Sequence, residues 1–70
     1  MPHYMMDRFF PDATKADGVR CESAAIKAMG DDQAISEAKM FGPLKDPKWF
    51  EVRKVGKKGS QVIYSSKGKP

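Results

Sequence analysis

The stretch Val19-Arg20-Cys21-Glu22-Ser23-Ala24-Ala25-Ile26-Lys27-Ala28-Met29-Gly30 decides how this chain folds. Read from its second half, Ser23 to Met29 holds helix formers that would run on, across Gly30, as far as Phe41. Read from its first half, Val19, Cys21 and Ser23 alternate with Arg20 and Glu22, the period of two that marks a strand. Ile26 and Ala28 alternate with Lys27 in the opposite phase. One extra residue near Ala24-Ala25, a β-bulge, reconciles the two halves, because a single-residue slip flips every side chain to the other face. Gly30 inside a continuous helix would cost about 1 kcal/mol. The strand reading is preferred, with the helix as its alternative.

Beyond Gly30 the period changes. Ala34, Ile35, Ala38 and Phe41 follow at i, i+1, i+4 and i+7, one apolar stripe of a helix from Asp32 to Phe41. Asp31 is expected as its N-cap, with Asp32 at the positive end of the dipole. Gly42 is expected as a left-handed stop, and Pro43 forbids continuation. Upstream, Tyr4 to Phe10 reads as a strand with Tyr4, Met6 and Phe10 on one face, broken by Arg8. Residues 11–18 carry the Pro, Asp and Gly of a turn. Downstream, Lys48 to Val55 and Ser60 to Ser66 read as strands around a hairpin loop, Gly56-Lys57-Lys58-Gly59.

The expected fold class is α+β: a four-stranded antiparallel sheet in ββαββ order with one helix packed on one face. Phe50, Val52, Val62 and Tyr64 are expected to face the helix. Trp49, Arg53, Val55 and Ile63 are expected on the other side, which one helix of about 15 Å leaves open. The chain has 70 residues, enough for a single domain, with an ordered core near residues 3–66 and a basic C-terminus frayed over 67–70. A domain this small buries only about 60% of its unfolded surface, so a dimer or a bound partner is a natural source of stability.

No apolar run approaches the roughly 20 residues of a membrane span, and no secretory leader pattern opens the chain. The single cysteine suits a reducing compartment. A cytoplasmic protein without membrane contact is expected. Residues 1–41 hold five Lys/Arg and seven Asp/Glu, a balance of −2, whereas residues 42–70 hold eight and two, a balance of +6. Such asymmetry marks a surface for an anionic partner.

The run Ile26-Lys27-Ala28-Met29-Gly30-Asp31-Asp32-Gln33-Ala34-Ile35-Ser36-Glu37-Ala38, followed by a hairpin with Phe50-Glu51-Val52-Arg53 and Val62-Ile63-Tyr64, resembles short uncharacterised bacterial ββαββ proteins. The element order is also similar to that of some small phage anti-CRISPR proteins, which block a surveillance complex through a charged surface. The first resemblance implies the fold and no activity; the second implies a protein that acts by occupying a partner. Neither carries a functional residue over to this chain, and the basic C-terminal end departs from the bacterial pattern.

Catalysis needs convergent groups. His3 and Cys21 are the only residues of their kinds, with no third group to orient them. Asp31 and Asp32 offer too few ligands for a cation that wants about 6–8 oxygens. No phosphate loop, zinc spacing or dinucleotide fingerprint is present. The chain is therefore expected to be no enzyme, with no cofactor, no metal and no small-molecule substrate.

The constellation that remains is basic and aromatic. Lys48, Arg53, Lys54, Lys57, Lys58, Lys67 and Lys69 lie on or beside the last hairpin, with Trp49 and Tyr64 among them. Lys48, Trp49, Arg53, Lys54, Lys57 and Lys58 are the candidate binding residues, with Arg53 favoured for a directed contact because its planar fork pairs with carboxylate or phosphate. The expected function is a non-catalytic binding module acting through protein–protein contact or self-association as a homodimer, a class that includes phage-type inhibitors such as anti-CRISPR proteins. The alternative is a nucleic-acid or nucleoprotein module using the C-terminal hairpin, cations meeting phosphates and rings meeting bases.

Overall fold

In a computed structural model, which describes residues 3–68, five elements follow in the order strand β1 (His3–Pro11), strand β2 (Val19–Ile26), helix α1 (Asp31–Phe41), strand β3 (Trp49–Gly56) and strand β4 (Gly59–Ser65). The strands form one antiparallel sheet in the order β2-β1-β3-β4. The expected ββαββ α+β architecture is therefore the observed one. The passage from β2 through α1 to β3 crosses over β1, which lays the helix on one face of the sheet.

The deciding stretch is extended, but the expected bulge near Ala24-Ala25 is absent. Strand β2 pairs with β1 without a break from Tyr4↔Ile26 to Pro11↔Val19. The change of phase has a different cause. As an edge strand, β2 exposes most of its length, so Cys21 lies exposed on the face opposite the helix while Ile26 shares the helix face with Tyr4. The alternation in its first half does not report burial.

The core is built where β1 and β3 lie side by side under α1. Tyr4, Met6, Phe50 and Val52 rise from the two central strands to meet Ala34 and Ala38, and Ile26, Ala28, Ile63 and Tyr64 close its margins. The alanines bring the helix close to the strands. The approach is closest at Gly42, where a Cβ would lie 2.6 Å from the Ala38 carbonyl oxygen and 2.6 Å from the Phe50 ring. Gly42 is thus required for proximity. It is not the left-handed stop expected from the sequence, since its φ of −58° is right-handed helical. The reversal comes later, at Lys45 and Asp46, whose φ values of 66° and 52° are left-handed.

The helix start also departs from expectation. Gly30 occupies the N-cap position without a side-chain cap. Gln33 Oε1 reaches back to accept from the Met29 N–H at 2.8 Å. The Asp31 carboxylate turns to the sheet instead, accepting from the Tyr4 hydroxyl at 2.5 Å and lying 3.3 Å from Lys54 Nζ. The buried phenol outcompetes the local amides for that carboxylate, because its hydroxyl has no water to turn to.

Arg8 stays on the helix-covered face, opposite Phe50 and Glu22. It donates from Nη1 to the Leu44 carbonyl at 3.3 Å, where the chain leaves the helix.

The final hairpin is tighter than a four-residue loop. Gly56 pairs with Gly59, leaving Lys57-Lys58 as the turn, and Gly59 takes a φ of 123° that favours glycine. A register shift between Val52 and Arg53 inserts Ile63 as an extra residue on β4. The shift exchanges two expected positions. Val62 lies opposite Arg53 on the open face, and Ile63 packs against the core; Tyr64 faces the helix opposite Val52. At the end of β4 the Lys67 N–H donates to Ser65 Oγ at 3.2 Å and Gly68 bridges back to Ser65. Lys69 and Pro70, expected as the frayed end, lie outside the described residues.

Candidate binding surface

The face of the sheet turned away from α1 is lined by alternate residues of three adjacent strands. Strand β1 supplies Met5, Asp7 and Phe9; β2 supplies Cys21, Ser23 and Ala25 opposite them; β3 supplies Trp49, Glu51, Arg53 and Val55 on the other side. Val62 of β4 completes the row beside Arg53.

Two groupings organise this face. At one end Phe9 and Trp49 face each other across the strands and stack, with ring centroids 4.4 Å apart and planes 11° from parallel. Lys67 Nζ lies 4.1 Å from the Trp49 ring centroid. A cation over an indole face is attracted by its quadrupole. In the middle Asp7 is only 5% exposed although no helix covers it. It accepts from Arg53 Nε at 2.5 Å, from Arg53 Nη2 at 3.1 Å and from Ser23 Oγ at 2.5 Å. Three donors on one carboxylate satisfy its charge, and the bond to Asp7 holds the Arg53 guanidinium above its ordinary pKa.

The expected binding residues are therefore divided rather than gathered. Arg53 lies on the open face with its fork already filled by Asp7. Lys54 points to the opposite face, engaged with Asp31. Lys48 is exposed beside the aromatic stack, its N–H donating to the Phe9 carbonyl at 2.7 Å. Trp49 is half-buried in the stack. Lys57 and Lys58 are exposed at the hairpin turn and line an open recess of about 770 Å³ with His3 and Gln61. Trp49 and Gly56 are the two ends of β3, about 23 Å apart at roughly 3.3 Å per residue. The ring and the turn lysines do not form one patch.

The same register separates the chain's one cysteine from its one histidine. Cys21 sits opposite Phe9, and His3 begins the same strand, β1. The two are about 20 Å apart at roughly 3.3 Å per residue. Asp31 is engaged by Tyr4 and Lys54, and Asp32 is exposed. Among the described residues no three His, Cys, Asp or Glu side chains converge, and no helix is long and apolar enough to cross a membrane. A second open recess, about 860 Å³, adjoins the first at His3 and Val55 and extends between Met5, Ala25, Ile26 and Met29.

Sequence reasoning missed Phe9, Asp7 and Ser23. Phe9 was legible as the phase partner of the Tyr4, Met6 and Phe10 face. Asp7 and Ser23 acquire their role only from register, since Arg53 is 46 residues distant from Asp7 along the chain. No family model, curated protein or solved structure matches the chain at a significant level.

Proposed function

We propose that the chain is a non-catalytic binding module whose open sheet face docks a protein partner or a second copy of the chain. One observation carries this reading. The Phe9–Trp49 stack, with Met5, Val55 and Val62 half-buried around the Asp7–Arg53 pair, lies on a face that no described element covers. Contiguous apolar surface rimmed by polar groups marks interaction sites on soluble domains, and Trp and Arg are favoured anchors within them. The Asp7–Arg53 pair gives the face a rigid polar centre that needs no rearrangement on docking. The distance between His3 and Cys21 supports binding rather than turnover. A phage-type inhibitor such as an anti-CRISPR protein, acting by occupying a partner's surface in the cytoplasm, belongs to this class.

A nucleic-acid reading has its own observation: Lys57 and Lys58 are exposed at the hairpin turn. It is the weaker reading because Arg53 and Lys54 are occupied by carboxylates of the same chain. Two free turn lysines meeting duplex phosphates would give log K against log salt a slope of only about −2.

Sedimentation equilibrium of the chain, alone and with the proteins of its source cell, tests the first reading alongside a gel shift at two salt concentrations. The expected result is a protein complex or dimer that Trp49→Ala abolishes while the variant keeps its circular dichroism spectrum; Phe9→Leu serves as a milder probe of the same stack. A monomer under all conditions, or a salt-sensitive gel shift lost in Lys57→Glu/Lys58→Glu and kept in Trp49→Ala, would overturn it.

A further inference from the structure

The two edges of the sheet are guarded unequally. Edge strand β2 carries Arg20 and Glu22, paired at 2.8 Å, and Arg8 approaches Glu22 from the neighbouring strand at 3.8 Å. Edge strand β4 reads Gly59-Ser60-Gln61-Val62-Ile63-Tyr64-Ser65, with no charge and no proline. Soluble proteins blunt their edges with lysine, proline or a bulge, because an unpaired ladder templates another strand. Here the bulge at Ile63 is the one such device, and the extra side chain turns inward to the core. Strand β4 bonds only to β3, and the turn at Gly68 reaches back only as far as Ser65.

Charge decides what would pair with this edge. Lys57 and Lys58 flank it at the turn, Lys39 Nζ lies 5.2 Å from the Tyr64 ring centroid, and Lys67 follows its other end. Among the described residues, none of these four lies within ion-pair distance of a carboxylate. A second copy would bring the same cations to the same edge. Antiparallel pairing centred on Val62 would set each copy's Lys57 opposite Lys67 of the other, and like charges directly opposite are destabilising. An acidic segment meets the opposite situation.

We infer that the β4 edge accepts, by strand addition, an extended segment of a partner protein that carries acidic residues beside a β-branched centre. The inference rests on the binding-module reading and names the chemistry of the partner. Backbone bonds to β4 supply the affinity, and the flanking lysines supply direction and selection. It also gives the basic C-terminal half a use that the occupied Arg53 and Lys54 cannot serve.

Selection of a displayed library of random linear nonapeptides on the folded chain tests it, with backbone amide shifts recorded for the winners. The expected winners are rich in Asp and Glu, free of proline and β-branched at the centre, and they shift the amides of Ser60 and Val62, whose backbone groups alternate with the residues paired to β3. The variant Lys57→Glu/Lys58→Glu, which lies in the turn and leaves the core intact, weakens them by about tenfold and loses the acidic preference in its own selection. The inference is overturned by no enrichment, by enrichment without acidic bias, or by shifts confined to Met5, Asp7 and Phe9. Concentration-dependent protection of β4 amides in the free chain would overturn it too, by placing a second copy on the edge. A complex lost in Trp49→Ala with β4 amides unmoved removes the edge and leaves the open face as the docking surface; a chain that binds peptide on β4 and nothing on the open face keeps the binding module and removes the open face from it.

Discussion

The two faces of this sheet are made by the same alternation and finished by different means. On one, Tyr4, Met6, Phe50 and Val52 are buried by a helix whose alanines and Gly42 let it settle close. On the other, Asp7 is as well shielded as Met6 or Phe50, yet only neighbouring side chains shield it: Arg53 and Ser23 across the strands. The strand residues under the helix are sealed by packing, while Met29 before the helix and Met40, Phe41 and Leu44 at its far end stay exposed. The open face holds a satisfied ion pair and a half-covered aromatic stack, an arrangement that is stable in water and still has area to give to a partner. Stability and recognition are thus carried by opposite sides of the same two strands.

Substitutions on each side can break that division. Phe50→Ala should cost the most, about 3–5 kcal/mol, because it empties the centre of the helix-facing core; urea denaturation measures it. Arg53→Ala on the open face leaves Asp7 shielded and unpaired. Because Arg53 is itself about a third exposed, the loss should be roughly 2–3 kcal/mol, below that of a fully buried pair. A double-mutant cycle with Asp7→Ala should show the two losses to be strongly non-additive. Gly42→Ala forces a methyl into the Phe50 ring and should cost about 1–3 kcal/mol, opposite in sign to the gain a glycine-to-alanine change gives at an open helical site. Trp49→Ala should cost only about 1–2 kcal/mol, since the ring is only partly buried and the stack contributes near 1 kcal/mol beyond its area. If Trp49→Ala matches Phe50→Ala, the open face is core and the division fails.

The smallest effect is a pH dependence in which the Tyr4–Asp31 pair stands beside two other lowered carboxyls, Asp12 held by Thr14 and Glu22 held by Arg20. The Tyr4 hydroxyl bond to Asp31, with burial and the nearby negative charge, pushes the phenol from its ordinary 10.0 up to about 12. The same bond, with Lys54, holds the Asp31 carboxyl below its ordinary 3.8. A depressed carboxyl stabilises the fold above its unfolded pKa and loses that contribution as pH falls through the folded value. A raised phenol stabilises below 10.0 and loses it as pH rises toward about 12. Melting temperature should therefore fall at both extremes, and Tyr4→Phe should flatten the alkaline limb and only lessen the acid one, where Lys54 still holds Asp31 and where Asp12 and Glu22 still contribute, while leaving Trp49 emission unchanged.

Much of the fold was legible because its cues are local. The helix announced itself by the i, i+4, i+7 stripe from Ala34 to Phe41, and the strands by their β-branched and aromatic runs. What misled were cues that depend on distant partners. Asp31 has the chemistry of a cap, but Tyr4, 27 residues away, claims it. Gly42 has the position of a left-handed stop, but its role is clearance for Phe50. Val62 and Ile63 exchanged faces because a bulge cannot be read from one strand alone. The candidate site suffered most from this: Arg53 and Lys54 are neighbours in sequence and face opposite ways, each taken by a carboxylate that composition counts only as a charge.

The chain holds a single tryptophan, so the open face reports on itself. Incorporation of a fluorinated tryptophan at position 49, and its fluorine resonance in the free chain and in the isolated complex, tests most directly that this face is the docking surface. The expected result is a shifted line that loses its solvent-isotope effect when the complex forms, with Lys57→Glu/Lys58→Glu leaving the free-chain line in place. An unchanged line with an undiminished isotope effect in the complex would contradict it.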